Sequence, residues 1–187
     1  MTQRCGFVAV VGAPNAGKST LVNALIGQKV AIVSPKAQTT RTRLIGVAIA
    51  EQSQILLVDT PGIFEPRRRL DRAMVAAAWG GAQDADLIAF VIDAKTGITN
   101  RIADLLDRLA ERREPKILVL NKVDTLDEEL IAALSAELAE ASGMPVFPLS
   151  AAGEIGIEPV LDALMERIDA EFVDDDGPAE PIEWSPL

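Results

Sequence analysis

Residues 12–19 combine glycines, a lysine and a hydroxyl group in a spacing that suits phosphate binding. The segment is GAPNAGKS, which matches G-x-x-x-x-G-K-S/T, and it lies between the apolar run FVAVV and the helical pattern STLVNALIG. Glycines let the backbone turn back so that its N–H groups face phosphate oxygens, and the following helix directs its positive N-terminus to the same place. An ordinary glycine-rich turn is the alternative, and the strand–loop–helix context disfavours it.

Two side chains of this loop are expected to contact the phosphates and their metal ion. Lys18 can reach the β- and γ-phosphates, and the Ser19 hydroxyl can ligate Mg²⁺. The other residues expected to surround the nucleotide are Gly12, Ala13, Pro14, Asn15, Ala16, Gly17 and Thr20.

A second motif, VDTPG, occupies residues 58–62 at the end of another apolar run. Asp59 is placed where a carboxylate would bind Mg²⁺ through a metal-bound water. The N–H of Gly62 could sense a γ-phosphate. D-x-x-G alone is weak evidence, because the same pattern occurs in common turns.

A third motif, LNKVD at residues 120–124, favours guanine as the base. Guanine presents two N–H donors on one edge, which the Asp124 carboxylate can accept, whereas adenine presents an acceptor there; such hydrogen bonds can discriminate by about 10⁴ or more. Asn121 would brace the base and its loop, and the stem of Lys122 would cover a base face. After the last strand, Ser150-Ala151 can donate a backbone N–H to guanine O6.

The composition of the whole chain limits its class. It has 187 residues, 49% of them apolar, one cysteine and no histidine, which fits one globular domain in a reducing cytoplasm and argues against structural zinc. The net charge of −10 disfavours general binding to nucleic acid or anionic lipid. Two local basic patches stand against that charge: Lys36 with Arg41 and Arg43, and the run Arg67–Arg69.

Short apolar runs alternate with helical patterns, which predicts the strands that position these motifs. The predicted strands are FVAVV (7–11), TRLIGVAIAE (42–51), ILLV (55–58), LIAFVI (87–92), KILVL (116–120) and PVFPL (145–149). The second and third lie close together and are expected to form an antiparallel hairpin at a sheet edge. The pattern as a whole predicts a three-layer α/β fold with a mostly parallel six-stranded sheet and ligands at the carboxyl ends of the strands.

Three apolar stripes with helical spacing are expected to face the core. They are Ile102, Leu105, Leu106 and Leu109; Leu130, Ile131, Leu134 and Leu138; and Val160, Leu161, Leu164 and Ile168. From residue 173 the chain becomes acidic and proline-rich, so we expect a domain over residues 1–172 and a linker or tail over 173–187.

The motifs GAPNAGKS, DTPG, NKVD and SA, in this order, resemble those of translation-factor-related GTPases. The stretch GQKVAIVSPKAQTTRTRLIGV is more specific and resembles the bacterial Era family, a resemblance that covers residues 5–172. It implies the P-loop NTPase fold, GTP and GDP as ligands, and Mg²⁺ as cofactor. It also implies that residues 30–43 and 62–70 are switch segments and that Thr40, beside Thr39, is an Mg²⁺ ligand. A turn-capping role for these hydroxyls is the alternative.

The resemblance also bears on catalysis. Asn15 matches an asparagine that helps to bind K⁺ in related GTPases, although turn geometry explains an asparagine there equally well. The position after DTPG is Ile63, whose side chain cannot orient a water, so hydrolysis should be slow, about one turnover per minute or less. Lys18, Thr40 and Gly62 are the residues expected to act on the γ-phosphate, and no general base is evident.

By the same resemblance, the protein is expected to act in maturation of the small (30S) ribosomal subunit by binding 16S rRNA through a KH domain. No KH pattern follows residue 172 in this sequence. The resemblance further implies a cytoplasmic monomer and leaves open a peripheral contact with the inner membrane.

Three other functions share some of these motifs. A nucleoside kinase would use the same phosphate loop, but NKVD and DTPG disfavour it. A guanine-nucleotide-binding module with negligible turnover is compatible with Ile63. A tRNA-modification or tandem-domain GTPase has the motifs but fits the stretch QKVAIVSPKAQTTR less well.

Overall fold

The computed structural model describes residues 4–27, 44–50, 53–59 and 85–171, and it forms an α/β sandwich over these ranges. The strands are β1 (Arg4–Gly12), β2 (Leu44–Ala50), β3 (Ser53–Asp59), β4 (Leu87–Asp93), β5 (Lys116–Asn121) and β6 (Val146–Leu149). The helices are α1 (Lys18–Ile26), α2 (Asn100–Ala110), α3 (Glu128–Ser142) and α4 (Ile157–Glu171). The predicted segments 30–43, 62–70 and 173–187 lie outside the described residues.

The six strands form one sheet in the order β2-β3-β1-β4-β5-β6. All neighbouring pairs are parallel except β2 and β3, which pair antiparallel from Leu44↔Asp59 to Ala50↔Ser53. The predicted hairpin at the sheet edge is therefore confirmed, as is the predicted fold class.

Helices cover both faces of the sheet and divide the core into two apolar clusters. On one face, α1 and α4 pack against the sheet through residues such as Leu21 and Leu164. On the other face, the packing residues come from α2 and α3, among them Leu106 and Leu138. Strands buried on both faces need no polar alternation, which explains the uninterrupted apolar runs of β4 and β5.

One residue of the predicted core-facing stripes does not face the core. Leu130 was expected to face the core, but it is 43% exposed because it lies in the first turn of α3, whose buried contact is made further along at Leu138. Among the described residues, no helix is both long and apolar enough to cross a membrane.

Candidate functional site

The carboxyl ends of four neighbouring strands bring the predicted motifs together. β1 ends at Gly12, β3 at Asp59 and β5 at Asn121, which are the first residues of GAPNAGKS, DTPG and NKVD. The strand β4, between β1 and β5, ends at Asp93. Parallel pairing places these ends at one edge of the sheet, where ligands of open α/β sheets bind.

The phosphate loop requires glycine at two positions because other structural elements approach its backbone closely. A Cβ on Gly12 would overlap the carbonyl oxygen of Val91 on β4, and a Cβ on Gly17 would overlap Nδ2 of Asn121. Gly17 also has a φ of 94°, which L side chains rarely adopt. Asn15 has a φ of 64°, a left-handed conformation that asparagine tolerates better than most residues, so turn geometry accounts for this residue type.

The N-terminus of α1 differs from those of α2 and α3. The Thr99 hydroxyl accepts a hydrogen bond at the start of α2, and the Asp127 carboxylate does so at the start of α3. The N-cap of α1 is Gly17, which has no side-chain cap, and the first turn contains no acidic residue. A helix N-terminus without its own carboxylate has backbone N–H groups and a positive dipole end suited to an external anion.

Lys18 is buried at this N-terminus, and its Nζ donates to the carbonyl oxygen of Ala13 at 2.9 Å. Burial lowers the pKa of Lys18 from 10.5 to about 8, an effect that the nearby Asp59 carboxylate partly offsets. The ammonium group is therefore held inside the phosphate loop, where a bound phosphate would compensate its positive charge.

Ser19 and Asp59 are adjacent and buried. The Ser19 hydroxyl donates to Oδ2 of Asp59 at 2.7 Å, although the two residues are 40 positions apart. A hydroxyl and a carboxylate oxygen are the hard donors that Mg²⁺ prefers, and Mg²⁺ commonly takes one carboxylate together with waters and substrate phosphates. The donor set therefore fits the expected Mg²⁺ site.

Asn121 joins the third motif to the phosphate loop. Its Nδ2 donates to the carbonyl oxygen of Ala16 at 2.9 Å, and its Oδ1 accepts from the backbone N–H groups of Lys122 and Ala151 at 2.9 and 3.0 Å. Asn121 is 2% exposed, and its hydrogen bonds to Ala16 and Ala151 are buried, while the one to Lys122 is partly buried. The predicted bracing role of Asn121 thus corresponds to an amide that contacts three separate loops.

Lys122 and Asp124 follow Asn121 at the mouth of the site. Lys122 has a φ of 69° and precedes a short 3-10 turn over Val123–Thr125. A lysine in the left-handed region is uncommon and is found most often where function constrains the backbone. Asp124 is exposed in this turn, so its carboxylate is accessible to a ligand.

The loop after β6 is closed by its own hydrogen bonds. The N–H of Ser150 donates to the carbonyl oxygen of Ile155 at 2.9 Å, and its hydroxyl accepts from the N–H of Gly153 at 3.1 Å. The N–H of Ser150 is therefore engaged within the loop, which narrows the expected O6 donor to Ala151. A guanine O6 would compete with Asn121 for that donor.

Comparison with known families agrees with this geometry. Residues 7–122 match the family described as 50S ribosome-binding GTPase, and the match includes the phosphate loop, Asp59 and Asn121. The chain belongs to this GTPase family.

Relatives within the family carry the name Era. The chain is 53% identical over 169 residues to the GTPase Era of Bradyrhizobium sp. (strain ORS 278), and 52% identical over 166 residues to that of Sinorhizobium medicae. Each match covers 88% of this chain and 54% of the relative, so the chain spans about half the length of the curated relatives that it matches.

Two solved structures have folds closely similar to that of this chain. Era in complex with MgGDPNP and nucleotides 1506–1542 of 16S ribosomal RNA aligns with a TM-score of 0.84 and 34% identity, over 98% of this chain and 61% of that one. Aquifex aeolicus Era bound to GDP and aluminium fluoride aligns with a TM-score of 0.83 and 34% identity, over 97% and 61%.

The described residues leave part of the predicted site untested and add one residue to it. Thr40 and Gly62, expected near the γ-phosphate, lie outside the described residues, as do Ile63 and the Arg67–Arg69 patch. Asp93 was not predicted, yet its carboxylate contacts Lys122. The sequence does carry a signal for it, because Asp93 ends a buried apolar run just as Asp59 does.

Proposed function

We propose that the chain binds GTP with Mg²⁺, hydrolyses it slowly, and acts as a switch in maturation of the small (30S) ribosomal subunit. The observation that carries the nucleotide part is the junction between the two loops. Asn121 donates a hydrogen bond to Ala16, 105 positions away in the sequence. Gly17 makes this contact possible, because a side chain at position 17 would overlap Nδ2 of Asn121. This junction sets the phosphate loop, residues 12–19, beside the loop with the NKVD motif, residues 121–124, here called the guanine loop. One nucleotide that spans both loops would require this arrangement.

Each part of the site has a distinct role in this proposal. Lys18 and the N-terminus of α1 bind the phosphates, while Asp124 and Asn121 select and brace the guanine. Ser19 and, through a water, Asp59 would hold Mg²⁺, which neutralises charge on the phosphates when bound. Lys18 also offsets negative charge that develops during phosphoryl transfer.

The expected rate of hydrolysis follows from the residue type after the DTPG motif. Because Ile63 cannot orient a water, the chain alone should turn over about once per minute or more slowly. We propose that K⁺, bound near Asn15, supplies additional positive charge. The left-handed backbone of Asn15 is a second, independent reason for an asparagine at this position.

The decisive experiment measures GTP turnover by the chain with Mg²⁺, in KCl and in NaCl at equal ionic strength. We expect slow turnover in NaCl and faster turnover in KCl, with a further increase when 30S subunits are added. Asp124→Asn is the matched variant. An amide presents a donor where guanine also presents donors, so the variant should lose GTP and gain affinity for xanthosine nucleotides, which carry a carbonyl there.

The same experiment decides between this proposal and a binding module without meaningful turnover. Tight GTP binding with hydrolysis at background, even with KCl and 30S subunits, would favour the binding module. Transfer of phosphate to a small acceptor would instead favour a kinase.

The ribosomal part of the proposal depends on the more similar relatives. The family description names the 50S ribosome, whereas the Era structure was solved with 16S rRNA, which belongs to the small subunit. We assign the small subunit because the chain is 53% and 52% identical to two proteins named GTPase Era. Binding to rRNA through a KH domain, a monomeric state, cytoplasmic location and peripheral contact with the inner membrane remain predictions.

A further inference from the structure

Asp93 forms an ion pair with the lysine of the guanine loop. Its Oδ2 lies 2.6 Å from Nζ of Lys122, and the same Nζ donates to the carbonyl oxygen of Asn15 at 2.7 Å. The lysine therefore connects β4, the guanine loop and the phosphate loop. The side chains of Lys122 and Asp93 are 38% and 21% exposed, so the pair lies at the mouth of the site rather than in free solvent.

The Asp93 carboxylate is fixed in place from its other side. Its Oδ1 accepts from the N–H of Lys95 at 3.0 Å, and its backbone carbonyl accepts from Thr96 and Gly97. Asp93 also pairs in register with Asn121 across β4 and β5, and the N–H of Ala94 donates to the carbonyl of Asn121. A rigid strand end thus supplies the carboxylate, while a long flexible side chain supplies the ammonium group.

We infer that Asp93 is a positioning residue that holds Lys122 in place over the nucleotide and so prolongs nucleotide residence. This inference rests on the proposed function of the same site. Without a fixed partner, the four-carbon stem of Lys122 would sample many rotamers, and each binding event would have to restrict them. With Asp93 in place, the stem of Lys122 is already ordered before the nucleotide binds. Nζ of Lys122 also links the guanine loop to the backbone of Asn15.

The geometry also explains why this ion pair should matter when most surface pairs do not. Exposed pairs contribute little because water and salt screen them and because both side chains must be ordered. Here the carboxylate is already held by Lys95, and a bound base would shield the lysine further. In this proposal the stem of Lys122 covers a face of the base, so moving it aside for release would break its contacts with Asp93 and Asn15. Loss of Asp93 should therefore act mainly on dissociation.

The experiment measures dissociation of fluorescent GDP from the purified chain by stopped flow. Asp93→Asn retains the shape and the acceptor for the Lys95 N–H but removes the charge, and we expect dissociation about tenfold faster. Asp93→Glu should restore part of the loss because it restores the charge. Glu114→Gln is the control, since the Glu114 side chain is 21% exposed, like that of Asp93, and forms an ion pair with Arg112 away from the site. This variant should leave the rate unchanged.

A double variant separates positioning from a general structural role. Lys122→Met should accelerate dissociation, and adding Asp93→Asn to it should have no further effect if Asp93 acts through the lysine. Equal rates for wild type and Asp93→Asn would overturn the inference, as would an undiminished effect of Asp93→Asn in the Lys122→Met background. Failure of the wild-type chain to bind GDP would instead overturn the proposed function itself.

Discussion

Lys18 shows how one residue can couple nucleotide binding to pH. Its ammonium group is buried, and the lowering of its pKa to about 8 corresponds to a cost of about 3 kcal/mol for keeping it charged at neutral pH. In the unfolded chain, Lys18 keeps its proton up to about pH 10.5. The cost is therefore fully present below pH 8 and is lost as the pH rises from 8 to 10.5. A bound phosphate would stabilise the charged form and reverse part of the cost.

We therefore expect GDP affinity to fall as the pH rises above 8. Binding should take up a proton in this range, and the dissociation constant should rise by up to about tenfold per pH unit. Calorimetry at pH 9 in two buffers of different ionisation enthalpy measures the proton uptake directly.

The control is Lys18→Arg, because guanidinium stays charged throughout this range. Guanine itself loses a proton in alkaline solution, which also changes GDP affinity with pH. The variant keeps this effect of guanine but has no lysine at position 18 that could titrate. Identical pH profiles for the variant and the wild type would show that Lys18 does not titrate on binding.

Single residues also mark the limit of what the sequence predicts. Ser19, Asp59 and Asn121 could be chosen because motif spacing and strand ends place them at one edge, and the structure brings them there. Asp93 was missed as a partner of Lys122 because the ion pair depends on the order of strands in the sheet and on a left-handed lysine, neither of which spacing reveals.

At the scale of elements, α1 is flanked by two glycines that serve different purposes. Gly17 and Gly27 both have positive φ, of 94° and 73°. A Cβ on Gly17 would overlap Asn121, whereas a Cβ on Gly27 has nothing within 4 Å. The first glycine therefore permits the contact between two loops, and the second only ends a helix.

This difference predicts separable effects of two alanine substitutions. Gly17→Ala should displace Asn121 from Ala16 and reduce GDP affinity by about a hundredfold or more, because both loops of the site shift. Gly27→Ala should leave affinity within about twofold, although each variant loses about 1–2 kcal/mol of stability to backbone strain. Thermal unfolding and GDP titration of both variants test this, and equal losses of affinity would contradict it.

The positions of the strands were easier to predict than the solvent exposure of individual side chains. Uninterrupted apolar runs and a short connection identified β4, β5 and the β2–β3 hairpin, since burial on both faces or proximity in sequence dictates them. The exposure of Leu130 was not predictable in the same way, because it depends on where the first turn of α3 lies relative to the sheet edge.

At the scale of the whole molecule, charge and length bear on the ribosomal role. The net charge is −10, and the chain spans about half of the relatives named Era. An acidic surface repels the phosphate backbone of RNA, so these 187 residues are expected to bind RNA weakly.

We accordingly expect this chain alone to bind a fragment from the 3′ end of 16S rRNA more weakly than about 10⁻⁴ M at physiological salt, the weak end of non-specific affinity. Fluorescence anisotropy with GTP or GDP present measures it, and an Era of full length from one of the relatives is the positive control. Submicromolar binding with a steep salt dependence would place an RNA contact within these 187 residues. The Arg67–Arg69 run would then be the first segment to neutralise, because it concentrates positive charge in an otherwise acidic chain.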